Sequence, residues 1–312
     1  MKRLYCGLRA ALLFLALAWA VPAAGVDRAE FDNGRVGFTV RYQGIESDLS
    51  VMTATVMPGA ELRLRTVAAA SSPSGRLKKT GDGWIWTAGP KPGRAELVLS
   101  HRGEQMLLNV FVLTPFRNGD KYLNGFRVGD YDRTPFRGLS TYAVPRGLIN
   151  LAHGPADLKI SPHFRLGQFI SKQQPGHRPA YLLVRPSMLL KLERLLEAAN
   201  RKGWRADTFH VMSGFRTPFY NRAIGNRTSS SRHLYGGAAD IWIDGDGDGQ
   251  MDDLNGDGRI DKDDARVLAA LAESLARRGG PGWPPGGIGV YGANAAHGPF
   301  VHIDSRGYRA RW

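Results

Sequence analysis

The sequence predicts an α+β chain: an immunoglobulin-like β-sandwich comes first, followed by a domain in which an antiparallel sheet carries flanking helices. Two observations carry this reading. Between residues 26 and 116, short runs alternate apolar and polar side chains, and Gly- and Pro-bearing turns punctuate them. That is the pattern of half-buried strands in a sandwich. Beyond residue 185, apolar residues recur at helical spacing, between further runs that read as strands.

The sandwich strands are expected at FTVRY (38–42), ELRLR (61–65), WIW (84–86), ELVLS (96–100) and LLNVFVL (107–113). This segment holds no titratable cluster, so a spacer, a binding module and a purely structural role are all open. Residues 117–160, rich in Gly, Arg, Tyr and Pro without a sustained period, read as a connector. Its Tyr122, Phe126, Tyr131, Phe136 and Tyr142 are expected to anchor it to a core rather than to stack on sugar rings. The remaining segment, residues 161–312, forms the second domain. There a helix should begin at Pro186, with Leu189, Leu192, Leu196 and Ala199 on one face and Gly203 as its stop. TFHVMSGFR then reads as a strand with His210 as a satisfied core histidine. A later helix, ARVLAALAESLARR, buries Leu268, Leu271 and Leu275.

Residues 1–25 read as a secretory signal: Lys2, Arg3 and Arg9 precede the apolar run ALLFLALAWAV, and small residues follow through Gly25. Export to a bacterial periplasm or beyond is the expectation. Cys6, the single cysteine, would leave with the signal, so disulfides play no part. It lacks the small residues a lipoprotein cleavage site needs before it. No other segment reaches the roughly 18 apolar residues of a membrane span. The formal charge of +14, or +11 without the signal's three cations, raises encounter rates with polyanions. For an exported chain these are cell-wall polymers or lipid headgroups rather than nucleic acid. Nothing in the sequence speaks to oligomeric state.

Chemistry concentrates in SRHLYGGAAD, residues 231–240, where His233 and Asp240 stand seven apart across Gly236 and Gly237. In one continuous helix they would lie about 10 Å apart along the axis, too far to share an ion. The chain must therefore reverse between them, which the two glycines permit. Ile241, Trp242 and Ile243 then read as a strand. Near the C-terminus, His302 and Asp304 in GPFVHIDSRG share one face of another strand, with Val301 and Ile303 on the other. His233, Asp240 and His302 make the two-imidazole, one-carboxylate set of a hydrolytic zinc, with a fourth position left for water.

The spacing SxHxxGxAxD, met by Ser231, His233, Gly236, Ala238 and Asp240, with a late histidine, resembles the signature of the D-Ala-D-Ala metallopeptidases and their murein endopeptidase relatives. These share a zinc fold with lysostaphin-type enzymes and the hedgehog domain. HVMSGFRTPFYN (210–221), GGIGVY (286–291) and FVHID extend the likeness over residues 160 to 312. It implies zinc at the three ligands, peptidoglycan as partner, and a substrate-facing Arg216, for which a structural salt bridge is the alternative. Many relatives carry an acidic general base three before the last zinc histidine. Here that position is Pro299, so the likeness is closest to the subgroup ending in H-x-D. Asp304 and His297 are the candidate bases. Asp304 is favoured by its face, although an Asp two after a ligand can instead only orient an imidazole.

Residues 244–264, DGDGDGQMDDLNGDGRIDKDD, hold nine aspartates against two cations. With Asp253 as position 1, Asn255, Asp257, the Arg259 carbonyl, Asp261 and Asp264 fall on the ligand positions of an EF-hand calcium loop, similar to dockerin loops. An overlapping frame from Asp244 allows at most a partial second site. A calcium here would brace the strand carrying Asp240. Three functions remain: a zinc peptidase acting on peptidoglycan, a catalytically silent zinc domain that binds wall peptides or a partner enzyme, and a calcium-dependent adhesin or scaffold. The last leaves the zinc set unexplained.

Overall fold

In the computed structural model, residues 30–280 and 282–312 are described. The signal reading at residues 1–25 lies outside them. Among the described residues no helix is long and apolar enough to cross a membrane.

Nine strands come first: β1 (Arg35–Tyr42), β2 (Ile45–Leu49), β3 (Val51–Val56), β4 (Glu61–Arg65), β5 (Ala69–Ser71), β6 (Arg76–Thr80), β7 (Gly83–Thr87), β8 (Gly93–His101) and β9 (Glu104–Val112). They form a five-stranded sheet ordered β2-β1-β4-β7-β6 and a four-stranded one ordered β3-β9-β8-β5. Alternation decides which side chains enter between the sheets. In β4, Leu62 and Leu64 are buried while Glu61, Arg63 and Arg65 face solvent. Leu62 and Leu64 join Val40, Met52, Trp86, Leu97 and Leu108 in one core. The β3–β9 pairing is parallel.

β9 is buried on both faces. Leu108 and Val110 fill the core between the sheets, whereas Phe111 belongs to the larger core of the C-terminal segment. That is why LLNVFVL reads as a nearly continuous apolar run rather than an alternating one. The reciprocal contribution comes from helix α1 (Pro186–Arg201), whose Leu190 is packed into the core between the two sheets. Arg35 pairs with Asp48 and with Glu197 of α1, and Arg194 reaches Asp48 at 3.3 Å. Phe31–Trp312 is accordingly one compact unit.

In the connector, Phe126, Tyr131 and Tyr142 are buried as expected, but Tyr122 and Phe136 are exposed. The second large sheet takes its strands in the order His210–Ser213, Ala238–Trp242, Phe300–Asp304, Gly287–Tyr291, Ala310–Arg311. α1 and α3 (Lys262–Arg278) cover it with Leu189, Leu192, Leu196, Leu268 and Leu271, all in one core. A short helix, α2 (Pro218–Ala223), follows the first strand, its N-cap Thr217 side chain accepting from Tyr220 N. His210 is not a core residue: it is exposed at the sheet edge, where its ring stacks on Trp242 with centroids 4.0 Å apart.

Candidate metal centre

The reversal required between His233 and Asp240 is made by a 3-10 turn, Arg232–Tyr235, that ends on Gly236 at φ 64°. A Cβ there would lie 2.6 Å from the Leu183 carbonyl carbon, so both the dihedral and the space call for glycine. The chain then enters the strand Ala238–Trp242, where Asp240 stands directly opposite His302 in the antiparallel register. Directly opposed residues share a face, and His233 reaches the same point from the turn.

His302 Nδ1 lies 2.7 Å from Asp240 Oδ1, and His233 Nε2 lies 3.3 Å from both. All three residues are buried. Four-coordinate zinc with bonds of about 2.0–2.1 Å spaces its ligands about 3.3–3.4 Å apart, close to the two separations made by His233. The tautomers agree. His233 Nδ1 is 2.6 Å from Gly214 O, which can only accept, so the proton sits there and Nε2 presents a lone pair. His302 Nε2 is 3.1 Å from Asp304 Oδ2, so when a cation displaces the proton shared between Nδ1 and Asp240, the ring keeps its other proton on Nε2 and turns a lone pair to the centre. Two imidazole nitrogens and a carboxylate converging within a buried site are a donor set that a divalent cation fits, the cation taking the place of the proton they share.

Electrostatics follow from this packing. Burial pulls His233 below the usual imidazole value. Burial also acts to lower His302, but Asp240 and Asp304 on its two nitrogens outweigh it and raise the ring to about 9. Asp240 sits well below the ordinary carboxylate range: burial opposes ionisation, and the two imidazoles overcome it.

Asp304 is wholly buried and stands on the far nitrogen of His302, not on the one facing the centre. Its Oδ1 accepts from Gly287 N at 2.8 Å and Arg306 Nε at 3.0 Å, and its Oδ2 from Arg306 Nε at 2.9 Å. Beneath it, Lys191 of α1 donates to the Asp304 carbonyl at 2.6 Å, and burial brings that ammonium down to about 7. Both oxygens of Asp304 are thus engaged away from the centre, the geometry that its alternative role, orienting the His302 imidazole, calls for.

Arg216 makes the salt bridge held as its alternative role. Its Nη2 is 2.6 Å from Asp240 Oδ2, and Nε donates to Ser213 Oγ at 2.7 Å. The side chain also lines the cleft above the centre, which measures about 850 Å³. His297 lines the same cleft, half-buried, with Nε2 2.8 Å from Asn294 Nδ2 and its ring against Phe300. Asp240 is the only carboxylate among the lining residues, and Pro299 is buried with no ionisable group.

Several residues here carry no sequence signal. Arg232 is buried between Tyr142 and Tyr235 and donates to Thr141 O at 2.6 Å. It thereby fixes the connector against the turn that carries His233. Trp312 and Tyr291 line the cleft, and Trp312 Nε1 donates to the Tyr291 hydroxyl.

The acidic segment repeats one hydrogen-bond pattern at a nine-residue offset. Asp244 Oδ2 accepts from Gly249 N and Asp253 Oδ2 from Gly258 N; Asp248 accepts from Gln250 N and Asp257 from Arg259 N. Asp244, Asp246 and Asp248 bring carboxylate oxygens within 4.8 Å of one another. The Asp253 frame has Asn255 where the Asp244 frame has Asp246, so it gathers one carboxylate fewer on the same backbone pattern. Asp264, expected to close the calcium loop, accepts from Leu254 N and Asn255 N on one oxygen and Asp261 N on the other. With Asp261 it forms the capping box of α3.

Residues 165–255 match the family model for Peptidase M15. A domain of M15 zinc-peptidase type is present, with His233 and Asp240 inside the matched segment and His302 brought to them by the sheet register. No curated protein and no solved structure matches the chain. The M15 likeness therefore rests on the matched segment and on the geometry of the three ligands.

Proposed function

We propose that the chain is a zinc-dependent peptidase that hydrolyses peptide cross-links or termini of bacterial peptidoglycan, exported to the periplasm or beyond. The observation that carries this is the convergence of His233 Nε2, His302 Nδ1 and an Asp240 oxygen below an open cleft. Zinc held there would act as a Lewis acid on an amide carbonyl and lower the pKa of a bound water. The chain's own residues do the rest. Gly214 O and Asp304 fix the two imidazoles in the tautomers that bind metal, and Arg216 holds the second oxygen of Asp240. With Asp304 engaged by Arg306 and Pro299 unable to titrate, His297 is the candidate in the cleft to accept a proton, once its Nε2 gives up the bond it receives from Asn294 Nδ2. Purified sacculi incubated with the protein should release soluble muropeptides, and a chelator should stop the release. Sacculi that release nothing in the presence of zinc would reject the enzyme reading and leave a silent zinc domain that binds wall peptides. The scarcity of carboxylates in the cleft is the observation that favours that second reading.

The N-terminal sheets are read as an immunoglobulin-like sandwich that braces α1, and through Lys191 the strand carrying His302. The acidic segment is read as a calcium site bracing the neighbouring strand, since Asp252 N bonds to Ile243 O just past Asp240. Clustered carboxylates repel unless a cation neutralises them. An ion bound only by the folded state stabilises it by mass action. The zinc-loaded protein should therefore melt several degrees higher with calcium than with a calcium-selective chelator; identical midpoints would reject the site.

A further inference from the structure

A second cavity, of about 970 Å³, adjoins the metal cleft. Ile170, Ser171, Lys172 and Met212 line both. Three features mark it as a place for a ligand rather than a surface fold. Ser171, 6 % exposed, lies at the junction with a buried Oγ that has no hydrogen-bond partner. The cavity is lined by two cations, Lys172 and Arg178, and by no carboxylate. Neither cation forms a salt bridge among the described residues. Its wall also includes Val211 and Met212 of the strand His210–Ser213, which lies at the sheet edge and pairs with a neighbour strand on one side only. An edge strand leaves its outer backbone groups open to an extended peptide.

We propose that this cavity is a second substrate subsite, which takes the carboxylate-bearing arm of a cross-linked wall peptide while the amide to be cut lies over the metal centre. The inference rests on the peptidase reading and narrows it. An enzyme that trims a terminal residue needs room on one side of the scissile amide and little beyond it. A cross-link joins two peptide strands, and both must be housed. The paired cavities meet that requirement, with the Ser171 hydroxyl to bond the backbone of the passing arm and Lys172 and Arg178 to meet its free carboxylate. Such charge-assisted contacts are the stronger class of hydrogen bond.

The test is binding to the full-length, metal-loaded protein, using a cross-linked peptide dimer whose scissile amide is replaced by a reduced-amide isostere, and the monomeric half carrying the same isostere. The dimer is expected to bind about tenfold or more tightly than the monomer, which corresponds to about 1.4 kcal/mol. Ala152 and Arg178 line the second cavity alone and are exposed, so Ala152→Trp and Arg178→Glu should fold normally. Each should remove the dimer's advantage and leave monomer binding unchanged. Equal affinity of the two ligands, or an equal loss for both in the variants, would overturn the proposal. If the dimer advantage behaves as expected but the unmodified dimer is never cleaved, the subsite stands and the peptidase reading falls.

Discussion

Substitution of His302 by alanine should leave the purified protein without stoichiometric zinc and lower turnover by about 10³-fold or more, against a total acceleration of about 10⁶ or more that is usual for enzymes. His302 supplies one of two metal-facing nitrogens and is the residue through which Asp304 acts on the centre. His233→Ala and Asp240→Ala should do the same. Of the three, Asp240→Ala carries a folding cost as well, because it leaves Arg216, which is largely buried, without its partner oxygen. The His302 variant is the cleaner test, since Asp304 keeps its Arg306 pair and its bond to Gly287 N. Metal content by elemental analysis, beside a circular dichroism spectrum to establish folding, reads the result. Three folded variants that each retain full zinc would sink the site.

The three candidate metal ligands were legible because their constraints are local. The seven-residue spacing from His233 to Asp240, across two glycines, requires a reversal, and a two-residue spacing in a strand places His302 and Asp304 on one face. The helix face of Leu189, Leu192 and Leu196 was readable for the same reason. What sequence could not supply were partners brought in by the tertiary fold. Nothing in α1 indicates that Lys191 supports the Asp304 carbonyl, or that Leu190, off the predicted face, enters a different core. The helix is buried on more than one side, which a single amphipathic stripe does not describe. Strands were missed where alternation is absent for a physical reason. β6, RLKKT, is an edge strand with no fully buried residue, and β5 is three residues at the opposite sheet's edge. The same limit explains Asp304. Its shared face with His302 follows from strand spacing, but its pair with Arg306 depends on that side chain folding back on it.

The role of Asp304 and the proton acceptor are separated by a pair of substitutions. Asp304→Asn keeps the shape but removes the charge that orients His302 and pairs with Arg306, so zinc affinity should fall by about 10- to 100-fold, the usual cost of losing such a partner. Once zinc is supplied to saturation, most of the turnover should return. His297→Ala should behave in the opposite way. His297 touches none of the three ligands and bonds only within its own loop, to Asn294 and the Gly298 carbonyl, so zinc affinity should hold. Turnover should fall by about 100-fold or more and stay low at any zinc concentration, because general acid–base catalysis is typically worth about that factor. Zinc titrations followed by activity at saturation distinguish the two. An Asp304→Asn protein that binds zinc normally yet remains slow at saturation would return the base to Asp304, and a His297→Ala protein of full activity would remove His297 from the chemistry.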